Sequence, residues 1–155
     1  KIVEIFRELY AKDKSYRLLM IGQGELLEQV KHSVSQASLN DVVTIVEKIE
    51  NSNIWETFRL SYAYINLNEH EIFGMAILEA MYYECPVVAL AAPGPEYILE
   101  RGKHGFLCKN EQEIYDKLDS TCLTKNIEIS KKRISEKFMW QQSAKAFIGI
   151  INLPN

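Results

Sequence analysis

The chain has 155 residues, the size of one ordinary domain, and 47% of them are hydrophobic, enough for a real core and too many for a disordered segment. Its 18 basic residues against 21 acidic ones give a formal net charge of −3, which argues against the basic face that nucleic-acid binding requires. No apolar run approaches the ~18 residues of a membrane span, and Cys85, Cys108 and Cys122 lack C-x-x-C spacing, so they read as reduced thiols of a cytoplasmic protein.

The N-terminal KIVEIFRELYAKDK carries charges throughout and is not a signal peptide. Ile2, Val3, Ile5, Phe6, Leu9 and Tyr10 recur on one face, predicting a helix over 1–12 that starts without a cap, as in a fragment beginning inside a domain. A buried strand is predicted over 16–22, stopping at Gly22. A helix with a Leu26, Leu27, Val30, Val34 stripe is predicted over 24–38. A strand over 42–46 precedes a helix over 52–60, with Ser52 as its cap. Then come a strand over 62–67, a helix over 73–84, a strand over 86–90, a helix over 94–101 and a strand over 105–108. Helices over 110–119, 126–137 and 139–151 complete the chain. Apolar strands alternating with helices predict a Rossmann-like, doubly wound α/β fold with a parallel sheet covered on both faces. In such a sheet ligands bind beyond the carboxyl ends of the strands. Here those ends carry Gly22 to Gly24, Glu47 and Lys48, Asn68 to Phe73, and Ala91 to Glu96.

The stretch EHEIFGMAILEAM holds Glu71 and Glu79 with seven residues between them. The helix beginning near Phe73 and Gly74 presents unsatisfied N–H groups and a partial positive charge, a seat for phosphate or sugar oxygens. Gly74 lets a ligand approach the backbone closely. Were the whole stretch helical, Glu71 and Glu79 would be separated by about 12 Å of rise. A carboxylate accepts two hydrogen bonds and suits the paired hydroxyls of a ribose. The plainer reading makes Glu71 a dipole-favoured first-turn residue and Glu79 a solvated helix position. Against it, Glu79 is the sole charge between 72 and 83, and a half-buried acid needs partners. Further on, Pro93-Gly94-Pro95 makes a tight turn and Glu96 lies at a helix N-terminus. His32, His70 and His104 read as solvated, Trp55 and Trp140 as packing anchors, and Lys12 to Lys14 and Lys131 to Arg133 as solvated faces.

The ordered set of E-I-F-G-M-A-I-L-E-A-M, four residues and P-V-V, then G-P-E-Y-I and G-x-x-G-F-L, resembles the nucleotide-sugar-binding half of the retaining GT-B glycosyltransferases of group 1, family 4. The earlier L-L-M-I-G-Q-G and the late Phe138-Met139-Trp140 extend the likeness over roughly 16–145. It departs from the family at Ile72 and at Glu84, both positions where glycine is common. The resemblance implies the C-terminal half of a GT-B enzyme, with residues 1–155 as a single donor domain. The N-terminal acceptor domain, a first strand and a diphosphate-neutralising Arg and Lys would lie outside the chain. Glu71 would act at the donor sugar, as nucleophile or as positioning group. The backbone of Ile72, Phe73, Gly74 and Met75 would meet sugar hydroxyls or diphosphate, and Glu79 the ribose. Gly22 and Gly24 would flank the donor, and Lys48 its base. No metal or cofactor is implied beyond a UDP-, GDP- or ADP-sugar. The implied partners are that nucleotide sugar and, through the acceptor domain, a glycan or lipid-linked sugar. The implied setting is polysaccharide biosynthesis in the cytoplasm, with room for peripheral contact at the inner face of the membrane through Lys131 to Arg133. A sugar-nucleotide epimerase-like domain and a non-catalytic α/β interaction module are the alternatives.

Overall fold

The computed structural model describes residues 1–49, 51–120, 123 and 127–142. The terminal helix predicted over 139–151 falls largely outside the described residues, as does Cys122. The elements follow the predicted alternation: α1 (Ile2–Lys12), β1 (Leu18–Ile21), α2 (Leu27–Gln36), β2 (Val43–Val46), α3 (Asn51–Leu60), β3 (Tyr64–Asn66), α4 (Met75–Tyr82), β4 (Val87–Leu90), α5 (Pro93–Ile98), β5 (Phe106–Cys108), α6 (Glu111–Asp119) and α7 (Ile127–Lys137).

All the pairings are parallel, as the apolar β-α alternation requires. The strands form two sheets among the described residues, one of β1 and β2 and one in the order β3-β4-β5. A single continuous sheet is the sequence expectation; the structure divides it between β1 and β3. β4 is buried along its whole length. Val87 and Ala89 face Ile77, Ala80, Met81 and Ile98, while Val88 and Leu90 face Ile5, Leu9, Ile114 and Leu118. Two-sided burial explains why Val-Val-Ala-Leu shows no polar alternation. β1 differs: Leu19 and Ile21 are 40% and 42% exposed. α1 reaches over both sheets, Ile5 and Leu9 packing with Val88 and Leu90, and Phe6 with Val43.

Several termini sit elsewhere than the sequence suggests. α2 begins at Leu27, three residues late, because no side chain caps it earlier. α3 already includes Asn51, so Ser52 stands inside the helix and not at the position before it. α6 starts where a cap exists: the Asn110 side chain accepts the Glu113 N–H at 2.9 Å.

Candidate functional site

The site is built where β3 gives way to α4. Asn66, the last residue of β3, is 7% exposed, and its Oδ1 accepts the Asn68 N–H at 2.8 Å. Asn68 Oδ1 in turn accepts the His70 N–H at 3.0 Å. Two successive Asx turns fold the loop back on itself. They aim both amides at one carboxylate: Asn66 Nδ2 and Asn68 Nδ2 approach Glu71 Oε2 at 3.4 and 3.5 Å. These are long bonds that orient Glu71 more than they bind it. Glu71 is half-buried, and Oε1 has no protein partner among the described residues.

The chain then turns at Gly74, with φ 95° and ψ 57°. Its carbonyl accepts the N–H groups of Ile77 and Leu78 at 3.0 and 3.2 Å. The helix proper therefore begins at Met75, and Phe73 and Gly74, the first residues of the 73–84 expectation, lie before it. No side chain caps this N-terminus, so the Met75 and Ala76 N–H groups stay open beside Glu71. Around them Ile72, Phe73 and Met75 are 77%, 50% and 60% exposed, an apolar rim on a polar floor.

Gly94 buttresses the loop from behind. Its N–H donates to the Glu71 carbonyl at 2.9 Å. A Cβ on Gly94 would stand 2.4 Å from the Phe73 carbonyl oxygen, inside any permitted contact. Pro93-Gly94-Pro95, expected from sequence as a tight turn ahead of a helix, is instead the first turn of α5, and its close packing fixes the backbone of 71–73.

Glu79 is half-buried on α4 and lines a cavity of about 470 Å³ between the two sheets, with Ile2, Met20, Ile21 and Tyr64. Tyr64 connects the two acids. Burial pushes its phenol above the ordinary value, the Glu71 charge adds to this, a bond to Asn66 opposes it, and Glu79 adds a smaller increment. Asn68 belongs to the strand-end segment that the sequence marks, whereas Tyr64 and Asn66 do not stand out there; N-x-N ahead of an acid is the available signal.

Gly22 and Gly24 are exposed at the carboxyl end of β1, where the Gly22 N–H extends the ladder to the Val46 carbonyl at 3.0 Å. Lys48 is exposed beyond β2. These three follow the strands of the β1-β2 sheet, and no hydrogen bond or ion pair among the described residues joins them to Glu71. Glu96 is exposed in the first turn of α5. Among the described residues no group of His, Cys, Asp and Glu could hold a metal ion, and no helix is long and apolar enough to cross a membrane.

Other expectations are corrected. His104 is 6% exposed, its Nε2 2.9 Å from Glu100 Oε2, and Nδ1 has no partner among the described residues. Arg133 is 7% exposed and donates to the carbonyls of Ile98 and Tyr97 at 2.8 and 2.7 Å, so it joins α7 to α5 and lies on no solvated face. Trp140 is 81% exposed and anchors nothing among the described residues.

A family model described as glycosyl transferases group 1 matches residues 1–137. A probable sucrose-phosphate synthase of Thermosipho melanesiensis is 34% identical over 98 residues, which cover 57% of this chain and 21% of that protein. A crystal structure of S. aureus TarM solved with fondaparinux, α-GlcNAc-glycerol and UDP superposes with a TM-score of 0.82 at 18% identity, covering 98% of this chain and 32% of TarM. The C-terminal domain of a group 1 glycosyl transferase family protein from Francisella tularensis superposes with a TM-score of 0.74 at 25% identity, covering 90% of this chain and 78% of that one. The chain thus spans much less than half of the full-length proteins among these. Matched over most of its length by the family model and sharing the α/β architecture of these enzymes, the chain belongs to the group 1 glycosyl transferases of GT-B fold.

Proposed function

We propose that residues 1–155 are the donor-binding domain of a retaining glycosyltransferase and hold a nucleoside-diphosphate sugar at the carboxyl edge of the sheets. The observation that carries this reading is the juxtaposition of the Asn-held Glu71 carboxylate with the uncapped N-terminus of α4. An anionic diphosphate gains from those open N–H groups and from the helix dipole. In the reaction the bond between the anomeric carbon and the diphosphate oxygen breaks and negative charge builds on the leaving diphosphate. Fixed N–H donors stabilise that charge without reorganising. The acceptor hydroxyl supplies the new glycosidic oxygen and passes its proton to the leaving diphosphate oxygen, with the anomeric configuration kept.

Glu71 positions the sugar through Oε1, Glu79 takes the ribose hydroxyls, and the Ile72 to Met75 backbone meets the sugar and diphosphate. Gly22, Gly24 and Lys48 close the far side beside the base. The donor needs no further cofactor. Three of the similar solved structures hold UDP, which makes uridine the first base to test. The acceptor, a glycan or lipid-linked sugar, would bind outside this chain, since relatives are so much longer. The setting we assign is the cytoplasm.

The test is calorimetric titration of this chain and of the longer protein with UDP, GDP and ADP, alongside Glu79→Ala. Binding of one nucleotide near millimolar, about −4 kcal/mol, lost in the variant, supports the ribose role. Failure of all three to bind the longer protein would overturn the reading. The isolated chain is expected to show no sugar transfer, and turnover by it would contradict the placement of the acceptor site.

A further inference from the structure

α5 has 6 residues, a length of about 9 Å. A helix this short is not stable alone and keeps its place through what holds its two ends. The first turn is held by the loop that carries Glu71. The Gly94 N–H donates to the Glu71 carbonyl at 2.9 Å. A Cβ on Gly94 would stand 2.8 Å from the Phe73 carbonyl carbon and 2.9 Å from that of Ile72, besides its closer approach to the Phe73 oxygen. Backbones packed this closely cannot shift on one side without shifting on the other.

The last turn is held by α7. A helix leaves its final carbonyls without intrahelical partners. The chain closes two of them itself: Pro95 accepts the Leu99 N–H at 2.9 Å and Glu96 the Arg101 N–H at 3.0 Å. Arg133 takes the next two, donating from Nη2 to Tyr97 at 2.7 Å and from Nε to Ile98 at 2.8 Å, whereas the Glu100 N–H reaches the Tyr97 carbonyl at 3.4 Å. Its Nη1 meets Glu100 Oε2 at 3.2 Å, and the Phe138 ring lies 5.6 Å from the guanidinium carbon and edge-on to Tyr97 at 5.9 Å. A planar fork engaged at every nitrogen fixes direction as well as distance. Glu100 and Arg101 have φ of 48° and 55°, a conformation that residues other than glycine rarely adopt. Such backbone persists where its surroundings hold it, and here the Glu100 carboxylate is bonded to both Arg133 and His104. Ile98 of α5 and Ile134 of α7 also pack in one cluster with Ile77 of α4, so the three helices meet without a loose layer.

We propose that Arg133 is a positioning residue of the donor site. It grips the carboxyl end of α5, which fixes Gly94 at the other end and, through Gly94, the backbone that carries Glu71. The proposal rests on the donor reading of Glu71 given above. No hydrogen bond or ion pair among the described residues joins Arg133 to the 68–75 loop, so its influence reaches the site through α5.

The test compares Arg133→Met with Ser130→Ala in the full-length protein. The first keeps most of the side-chain bulk and removes the fork. The second removes a different buried bond of α7, to the His104 carbonyl, and leaves the end of α5 as it is. Amide hydrogen exchange at Gly94 reads the bond to Glu71 directly. It is expected to rise about tenfold in Arg133→Met while Val88 in β4 stays protected, and to stay within about twofold of the parent in Ser130→Ala. Unchanged Gly94 exchange in Arg133→Met, or an equal rise in Ser130→Ala, overturns the proposal, because Arg133 then adds stability without positioning. Sugar transfer is measured in the same proteins. In Arg133→Met kcat is expected to fall about tenfold with KM moving less than about threefold. Undiminished transfer with Gly94 released also overturns the proposal. Should Arg133→Met fail to fold, shown by loss of protection at Val88, Arg133→Lys keeps the charge and the stem, lacks the fork, and carries the same comparison. The donor reading fails by a different result: a parent protein that binds no nucleotide contradicts it and takes the positioning role with it, whereas a nucleotide-binding parent whose Gly94 ignores Arg133 contradicts the positioning role alone.

Discussion

At the scale of single residues, the site depends on two glycines for different reasons. Gly74 supplies a left-handed turn that starts α4 without a capping side chain. Gly94 supplies absence of volume, since its missing Cβ is what lets α5 sit against the Ile72 and Phe73 backbone. Gly94→Ala must push that backbone away, and overpacking of this kind costs about 1–3 kcal/mol. Thermal unfolding should show the loss, and nucleotide affinity should fall with it as Glu71 shifts. An unchanged melting temperature would mean that the 71–73 turn is not held as described. The cysteines give a second check. Burial pushes the Cys85 thiol up to about 11 and the Cys108 thiol up to about 11, and both are free. Only the thiolate is reactive, so neither should be alkylated by iodoacetamide at pH 8 in the folded protein, and both should be after denaturation. Peptide mapping showing rapid native labelling at either would contradict the packing.

At the scale of elements, α5 and α7 are joined by a polar cluster in a place the sequence marked as surface. Arg133 reaches from α7 to the carbonyls ending α5 and to Glu100 Oε2 at 3.2 Å, and Ser130 donates to the His104 carbonyl at 3.0 Å. Buried arginine is stable here because backbone carbonyls and a carboxylate satisfy its fork. The bond from His104 holds the Glu100 carboxyl below its ordinary 4.5, with Lys103 and Arg133 adding to the effect. A depressed folded value means the contribution is present above the unfolded value near 4.5 and is lost as pH falls through the lower folded one. Glu100→Gln should therefore flatten the acid limb of the stability curve below about pH 5. A variant that loses stability with acid as steeply as the parent would show that Glu100 does not carry this linkage. The same cluster explains the error in the sequence reading: a Lys-Lys-Arg run looks uniformly solvated, yet helical geometry sends its third member inward.

At the scale of the whole molecule, three packed clusters hold the fold and ion pairs decorate it. Lys1 with Glu69, Lys12 with Asp119 and Lys131 with Glu84 tie distant segments together, but their side chains are exposed, Asp119 alone being half-buried. Exposed pairs contribute little and are screened. Raising sodium chloride to about 1 M should leave the unfolding free energy within about 1 kcal/mol of its low-salt value. A larger fall would give electrostatics a weight that the burial does not support. The main load rests on β4, covered on both faces, and its amides should be the last to exchange.

By itself the sequence determined the order and type of the elements, because a period of 3.6 residues in the helices and continuous apolar runs in the strands are local signals. It also determined the carboxyl-edge segments worth attention, since parallel topology puts every strand end on one side. The E-x7-E stretch is assigned to that edge by the sequence alone. What it did not determine were contacts between segments far apart in the chain. That Asn66 and Asn68 aim at Glu71 required the loop to fold back twice. That Gly94 lies behind Phe73 required α5 to pack on α4. That His104 and Arg133 are inside required α7 to close over α5. The gap between β1 and β3 is the clearest case: both strands are apolar enough to be central, and only the assembled sheets show that neither has a neighbour on that side among the described residues. Periodicity is written residue by residue, whereas adjacency is set by which buried surfaces fit together.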